Sequence, residues 1–181
     1  MSKTKVDSTG IDLTDNFAFT GTVSGAGGGK VGQVVQTVVA DIVEVTSSSG
    51  TFADISGFTA NITPSATSSK VLVMATINYG GTSNIYGAVR LVRGSTAIGI
   101  GDAAGNRTRA SAFTSSDDNT KAYSATFDFL DSPSSSSQQT YKLQVTLNGS
   151  QTFKLNSEGE NIDNAANHRT ISTITLMEIL T

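Results

Sequence analysis

Apolar and polar residues alternate with a period of two along most of this chain, in short runs separated by clusters of Ser, Gly, Asn and Asp. That period belongs to β-strands with one face buried, and the small polar clusters between runs are turn chemistry. The runs are Val31 to Val39, Ile42 to Thr46, Phe52 to Ile55, Phe58 to Thr63, Lys70 to Tyr79, Ile85 to Arg93, Thr96 to Ile100, Arg109 to Thr114, Tyr123 to Leu130, Tyr141 to Asn148, Thr152 to Asn156 and Thr170 to Leu180. Pro64, which has no N–H to give a ladder, closes one of them. Arg93-Gly94-Ser95 reads as a hairpin turn. Lys70 to Tyr79 (K-V-L-V-M-A-T-I-N-Y) has the look of a central strand buried on both faces at its start. No stretch sustains a helical period, and Asp102 to Arg109 is broken by Gly105. Long connections at Asp131 to Thr140 and Ser157 to Arg169 suit crossings between two sheets. The expected fold is all-β, an antiparallel jelly-roll sandwich.

The final run carries Ile171, Thr173, Thr175, Met177 and Ile179 on one face and Ser172, Ile174, Leu176 and Leu180 on the other, interrupted by Glu178. A strand apolar on both sides needs two covers, one from its own sandwich and one from elsewhere. Another copy of the same chain is the expected second cover, with Ile174, Leu176, Met177 and Leu180 at the subunit contact. The first thirty residues differ from the rest. Phe17, Phe19 and Val23 give one short strand signal, and Ser24 to Lys30 (S-G-A-G-G-G-K) interrupts regular structure. Residues 1–30 are therefore expected to be an extended attachment arm that orders against a partner through Ile11, Leu13, Phe17, Phe19 and Val23, and residues 31–181 the β domain.

Composition narrows the function. The 181 residues have a net charge of -3, 15% charged residues and no cysteine, so disulfides and thiolate metal sites are excluded. Lys and Arg are scattered, which argues against nucleic acid as a partner. The basic start lacks a following apolar stretch, so no secretory signal is expected, and no window approaches the ~18 apolar residues of a membrane helix; neither a membrane nor a cofactor is anticipated. Gly27, Gly29 and Gly32 satisfy G-x-G-x-x-G in spacing, yet a valine-rich strand follows where a nucleotide site requires a helix, and Val31 stands where a phosphate loop needs Ser or Thr. The loop from Gly99 to Asn106 and the Asp117-Asp118-Asn119 segment read as turns stabilised by Asx side chains in preference to cation sites. His168, the single histidine, reads as a loop residue at the entry to the final strand. Tyr79, Tyr86, Phe113 and Tyr123 would suit an aromatic platform for sugars, but as residues within strand signals most of them read as core or interface; Tyr86 and Tyr123 are the candidates for glycan contact.

Five segments carry a resemblance: GIDLTDNFAFTGTVSGAGGGKVGQVVQ, ITPSATSSKVLVMATI, RLVRGSTAIGIGDAAGNR, FDFLDSPSSSSQQTYKLQV and RTISTITLMEI. They resemble the small β-rich structural proteins of marine tailed bacteriophages, found in tail fibres and related virion appendages, and the likeness runs nearly the whole chain. It implies a virion component, made in the cytoplasm of a bacterial host, that contacts other phage virion proteins of the capsid or tail. Domains of this look are similar to trimeric jelly rolls of the tumour-necrosis-factor and C1q kind, whose terminal strand lies near the threefold axis, so a homotrimer is implied. The chain departs from a complete fibre in lacking shaft repeats or heptads, which favours a short appendage, a tip or a capsid-surface decoration. The expectation is a non-enzymatic virion protein; the alternative is a carbohydrate-binding, host receptor-binding module.

Overall fold

The computed structural model describes residues 30–82 and 84–181. The attachment-arm residues Ile11, Leu13, Phe17, Phe19 and Val23 lie outside them. Eleven strands are present: β1 (Val31–Val39), β2 (Val43–Thr46), β3 (Ala53–Ile62), β4 (Lys70–Gly81), β5 (Ile85–Arg93), β6 (Thr96–Ile98), β7 (Ala112–Ser116), β8 (Tyr123–Asp131), β9 (Gln139–Leu147), β10 (Thr152–Leu155) and β11 (Ser172–Ile179). Among the described residues there is no helix.

The strands form two antiparallel sheets. In the first, β4 pairs with β8 along one side, and with β11 and then β10 along the other; β1 continues outward from β11, and β2 from β10. The second runs β3-β9-β5, with β6 and β7 sharing the far side of β5. Successive strands thus switch sheets repeatedly, so that β1-β11-β4-β8 faces β3-β9-β5-β7. This is the two-Greek-key winding of a jelly-roll sandwich.

Alternation along each strand builds the core. Val71, Val73, Ala75 and Ile77 of β4 and Ile174 and Leu176 of β11 meet Val89 and Leu91 of β5 and Tyr141, Leu143 and Val145 of β9, with every one of these side chains buried. Burying a side chain of this class contributes about 1.5 to 3 kcal/mol.

Three sequence expectations are altered. The two runs from Phe52 to Thr63 are one strand, β3, whose register against β9 shifts between Asp54 and Thr59; Gly57, at a φ of 75°, supplies the left-handed backbone of that bulge. The start of β4 is not covered twice: Val71 and Val73 are sealed, whereas Leu72 and Met74 are half-buried on the opposite face. Ile174 and Leu176, expected at a subunit contact, are wholly buried inside one chain because the facing sheet covers them, so their side chains have no surface to offer a symmetry mate. Met177 points the other way and Leu180 packs close to Gly32; both are half-buried.

Polar groups pin the rim of the sandwich. Glu178 lies on the inward face of β11 at 1% exposure. Ser65 donates its N–H and its hydroxyl to Glu178 Oε1, each at 2.6 Å, and Gln33 Nε2 donates to Oε2 at 2.9 Å. These donors hold the carboxyl down at about 2, and they join β1, β11 and the β3–β4 connection. Gln33 and Thr37 also donate across the sandwich to the carbonyls of Thr63 and Thr59 in the β3 region, at 2.7 and 2.8 Å. At the opposite end, buried Asn156 adopts a φ of 64° just after β10. Its side chain donates to the carbonyls of Val39 and Asp41 and accepts from the Ser172 hydroxyl. Its backbone N–H reaches the Asn78 carbonyl.

Candidate functional site

The two outer faces of the sandwich differ in chemistry. On the second sheet, Arg90 of β5 donates to Gln144 of β9 at 2.8 Å and lies 3.9 Å above the Phe52 ring. Gln144 and Lys142 in turn donate to the two carboxylate oxygens of Asp54, both at 2.7 Å. These bonds hold the Asp54 carboxyl below its ordinary range, Lys142 having the largest part. This network occupies the part of the face over β3, β9 and the middle of β5, while Tyr86 and Phe113 stand exposed on the same face toward β7.

The outer face of the first sheet is apolar along one complete row. The register places Val34 of β1 opposite Met177 of β11, Met177 opposite Leu72 of β4, and Leu72 opposite Leu130 of β8. Strand spacing makes this row about 14 Å across. Val34 is 55% exposed and Leu130 47% exposed, at its two ends. Val31 and Ile179 extend it on one side, and Met74 on the other. Charge borders the row, with Lys70 opposite Ile179 and Asp128 opposite Met74, and the same face carries the Lys154–Glu44 ion pair farther out on β10 and β2. The remaining outward positions of β11 and the middle of β4 are threonines, Thr173, Thr175 and Thr76. Of the four residues expected at a subunit contact, the structure leaves Met177 in the middle of this surface. Val34, Leu72 and Leu130 were missed. In sequence each stands beside an apolar neighbour, so the alternation that assigns a side chain to one face is lost.

A second feature lies where the β7 and β8 edges of the two sheets meet. Tyr86, Tyr123, Asp117, Asn84 and Ser115 line a cleft of about 240 Å³. Tyr123 donates its hydroxyl to Asp117. That bond, followed by nearby Lys121, lowers the Asp117 carboxyl below its usual range and raises the tyrosine in return. Behind them, the Tyr79 ring sits 6.0 Å from Tyr123 and 5.4 Å from Phe153, anchoring Tyr123 to the core. The structure therefore brings together Tyr86 and Tyr123, the two residues singled out for sugar contact. Phe113, named with them as an aromatic strand residue, is 65% exposed, and its ring centroid lies 6.4 Å from that of Tyr86.

The other chemistry-bearing residues are dispersed. Asp118 Oδ1 accepts from both the N–H and the hydroxyl of Thr120, closing an Asx turn. Gly99 and Gly105 take φ values of 57° and 58° in their loop. Among the described residues no three His, Cys, Asp or Glu side chains converge as a metal-ion set. His168 lines a hollow of about 250 Å³ with Glu158, Asp163, Asn167 and Arg169, and among the described residues no serine borders it.

No protein-family profile matches the chain, and no curated protein matches it by sequence. Among solved structures the chain is similar to that of infectious bursal disease virus Gx strain, with 12% identity and a TM-score of 0.40 over 82% of this chain and 37% of the other. It is similar also to the infectious bursal disease virus VP2 subviral particle, with 14% identity and a TM-score of 0.32 over 82% of this chain and 41% of the other. The chain thus spans less than half the length of these viral particle proteins, and a likeness at such TM-scores carries no weight in assigning a role.

Proposed function

We propose that this protein is a non-enzymatic structural component of a tailed-phage virion, a short appendage or capsid-surface decoration, that assembles as a homotrimer of the tumour-necrosis-factor and C1q kind. The observation that carries the assembly is the four-strand apolar row Val34–Met177–Leu72–Leu130 on one outer face of the sandwich. The contact has moved from the expectation: Met177 remains, and Leu72 and Leu130 replace the internal Ile174 and Leu176. Sealing each such side chain from water contributes on the order of 1 to 2 kcal/mol, so three copies meeting on this face gain from every member of the row. The virion setting is supported by the resemblance of the five segments quoted above, and attachment is assigned to the arm, residues 1–30.

Light scattering on the protein eluting from a sizing column tests the assembly. A trimer is expected for the natural chain, and Leu72→Glu or Met177→Glu should shift it to monomer. Both positions are half-buried at the surface, so the variants are expected to keep the sandwich, which circular dichroism will show. A natural chain that elutes as a monomer would overturn the reading.

A further inference from the structure

Tyr86 stands between two hollows. On one side is the 240 Å³ cleft with Asn84, Ser115, Asp117 and Tyr123. On the other is a broader groove of about 490 Å³ bordered by Phe113, Asn106, Thr108, Thr146 and Asn148. Register explains the arrangement. Tyr86 pairs with Ser115 and Ala88 with Phe113 across β5 and β7, so the two rings are diagonal neighbours on one outward face, tilted by 54° to each other. At 58% and 65% exposure they are the most exposed aromatic rings among the described residues. Nothing in the fold requires them to be apolar. The hollows beside them present hydroxyls and neutral amides, the chemistry that pairs with sugar hydroxyls, while the ring faces suit the C–H face of a pyranose. Neither hollow is lined by Lys or Arg, and the single charge in the lining is the Asp117 carboxylate.

We infer that this edge of the sandwich binds a neutral oligosaccharide of at least two units, one seated on Tyr86 beside Asp117 and Tyr123, the next against Tyr86 and Phe113. Asp117 accepts hydrogen bonds from sugar hydroxyls; Lys121, 3.7 Å from its Oδ1, balances that charge from outside the lining, and the absence of Lys and Arg from both linings favours a neutral chain over a sialylated or sulfated one. The site does not depend on the assembly reading. Tyr123 and Leu130 are seven residues apart on β8, about 23 Å, so the apolar row and the cleft occupy different ends of that strand.

The test is an array of immobilised neutral, sialylated and sulfated oligosaccharides probed with the full-length protein, its oligomeric state measured on the same sample. Retention of neutral oligosaccharides is expected, with Tyr86→Ala and Phe113→Ala weakening it at least tenfold and Asp117→Asn severalfold. Because these side chains are exposed, the variants should melt with the natural chain, and comparison of the three guards against loss of fold in any one. An array silent to the intact protein, a preference for acidic glycans, or undiminished retention by folded Tyr86→Ala and Asp117→Asn would each overturn the inference. None of these outcomes bears on whether the chain is a trimer, which scattering reads separately.

Discussion

Glu178 shows how one residue can invert its apparent meaning. In the sequence it interrupts the apolar face of the terminal strand, yet in the structure it is among the most buried carboxylates, satisfied by Ser65 and Gln33. A buried acceptor with three good donors is stabilising, and leaving those donors unpaired costs about 1 to 3 kcal/mol. Its folded value of about 2 lies below the ordinary 4.5. The ionised form is therefore the one the fold prefers: the contribution is complete above about pH 4.5 and drains away as the pH falls toward 2. The linkage amounts to at most about 3 kcal/mol. Thermal unfolding followed from pH 7 to pH 3 should show Glu178→Gln melting below the natural chain at neutral pH, with the gap narrowing on acidification. Two melting curves that stay parallel throughout would assign the low-pH sensitivity to other groups. The sequence could not announce this role, because Ser65 and Gln33 lie 113 and 145 residues away.

At the scale of elements, pattern was informative wherever one face met water. β1 and β8 begin where their alternation begins, with Gln36 in the one and Ser124, Thr126 and Asp128 in the other marking the outward face. It failed at β3, where the bulge at Gly57 restarts the alternation and makes one strand look like two. It failed also at β4 and β11, whose consecutive apolar residues conceal which face the opposite sheet has taken. The joint between β10 and β11 had no pattern at all. Asn156 holds it by reaching the ends of β1, β4 and β11 at once, in a left-handed backbone that asparagine tolerates better than other non-glycine residues. Asn156→Ala strands two carbonyls and a hydroxyl in a buried site, and chemical denaturation should report a loss of about 2 to 4 kcal/mol. An unchanged midpoint would mean that water replaces the amide there.

For the whole molecule the decisive feature is a pair of outer faces built on the same alternation, one with a four-strand apolar row and the other with the Arg90–Gln144–Asp54–Lys142 network beside the exposed rings of Tyr86 and Phe113. The sandwich itself was legible from turn spacing and long crossovers; which face of the terminal strand the opposite sheet covers was not, and Ile174 and Leu176 proved internal. The aromatic cleft was legible in part: Tyr86, Phe113 and Tyr123 stood out by type, whereas Asp117, read as a turn residue, joins them through the Tyr123 hydroxyl. The proposed division of labour, arm for attachment and sandwich for assembly, makes a separable prediction. A chain lacking residues 1–24 should remain a folded trimer by light scattering and fail to co-sediment with particles. Truncated protein that still decorates particles would return the attachment role to the sandwich.

The pairing of β1 with β11 bears on how the molecule would carry tension. The two strands are antiparallel from Val31 opposite Ile179 to Val39 opposite Ser172, and Leu180 N–H bonds the Lys30 carbonyl at the end of that ladder. A pull on residue 30 directed along β1, with β11 held by its neighbours, loads these bonds in shear and all together, whereas a pull across the strand would open them one after another. The β1–β11 ladder thus resists best a force in the direction its own first strand defines.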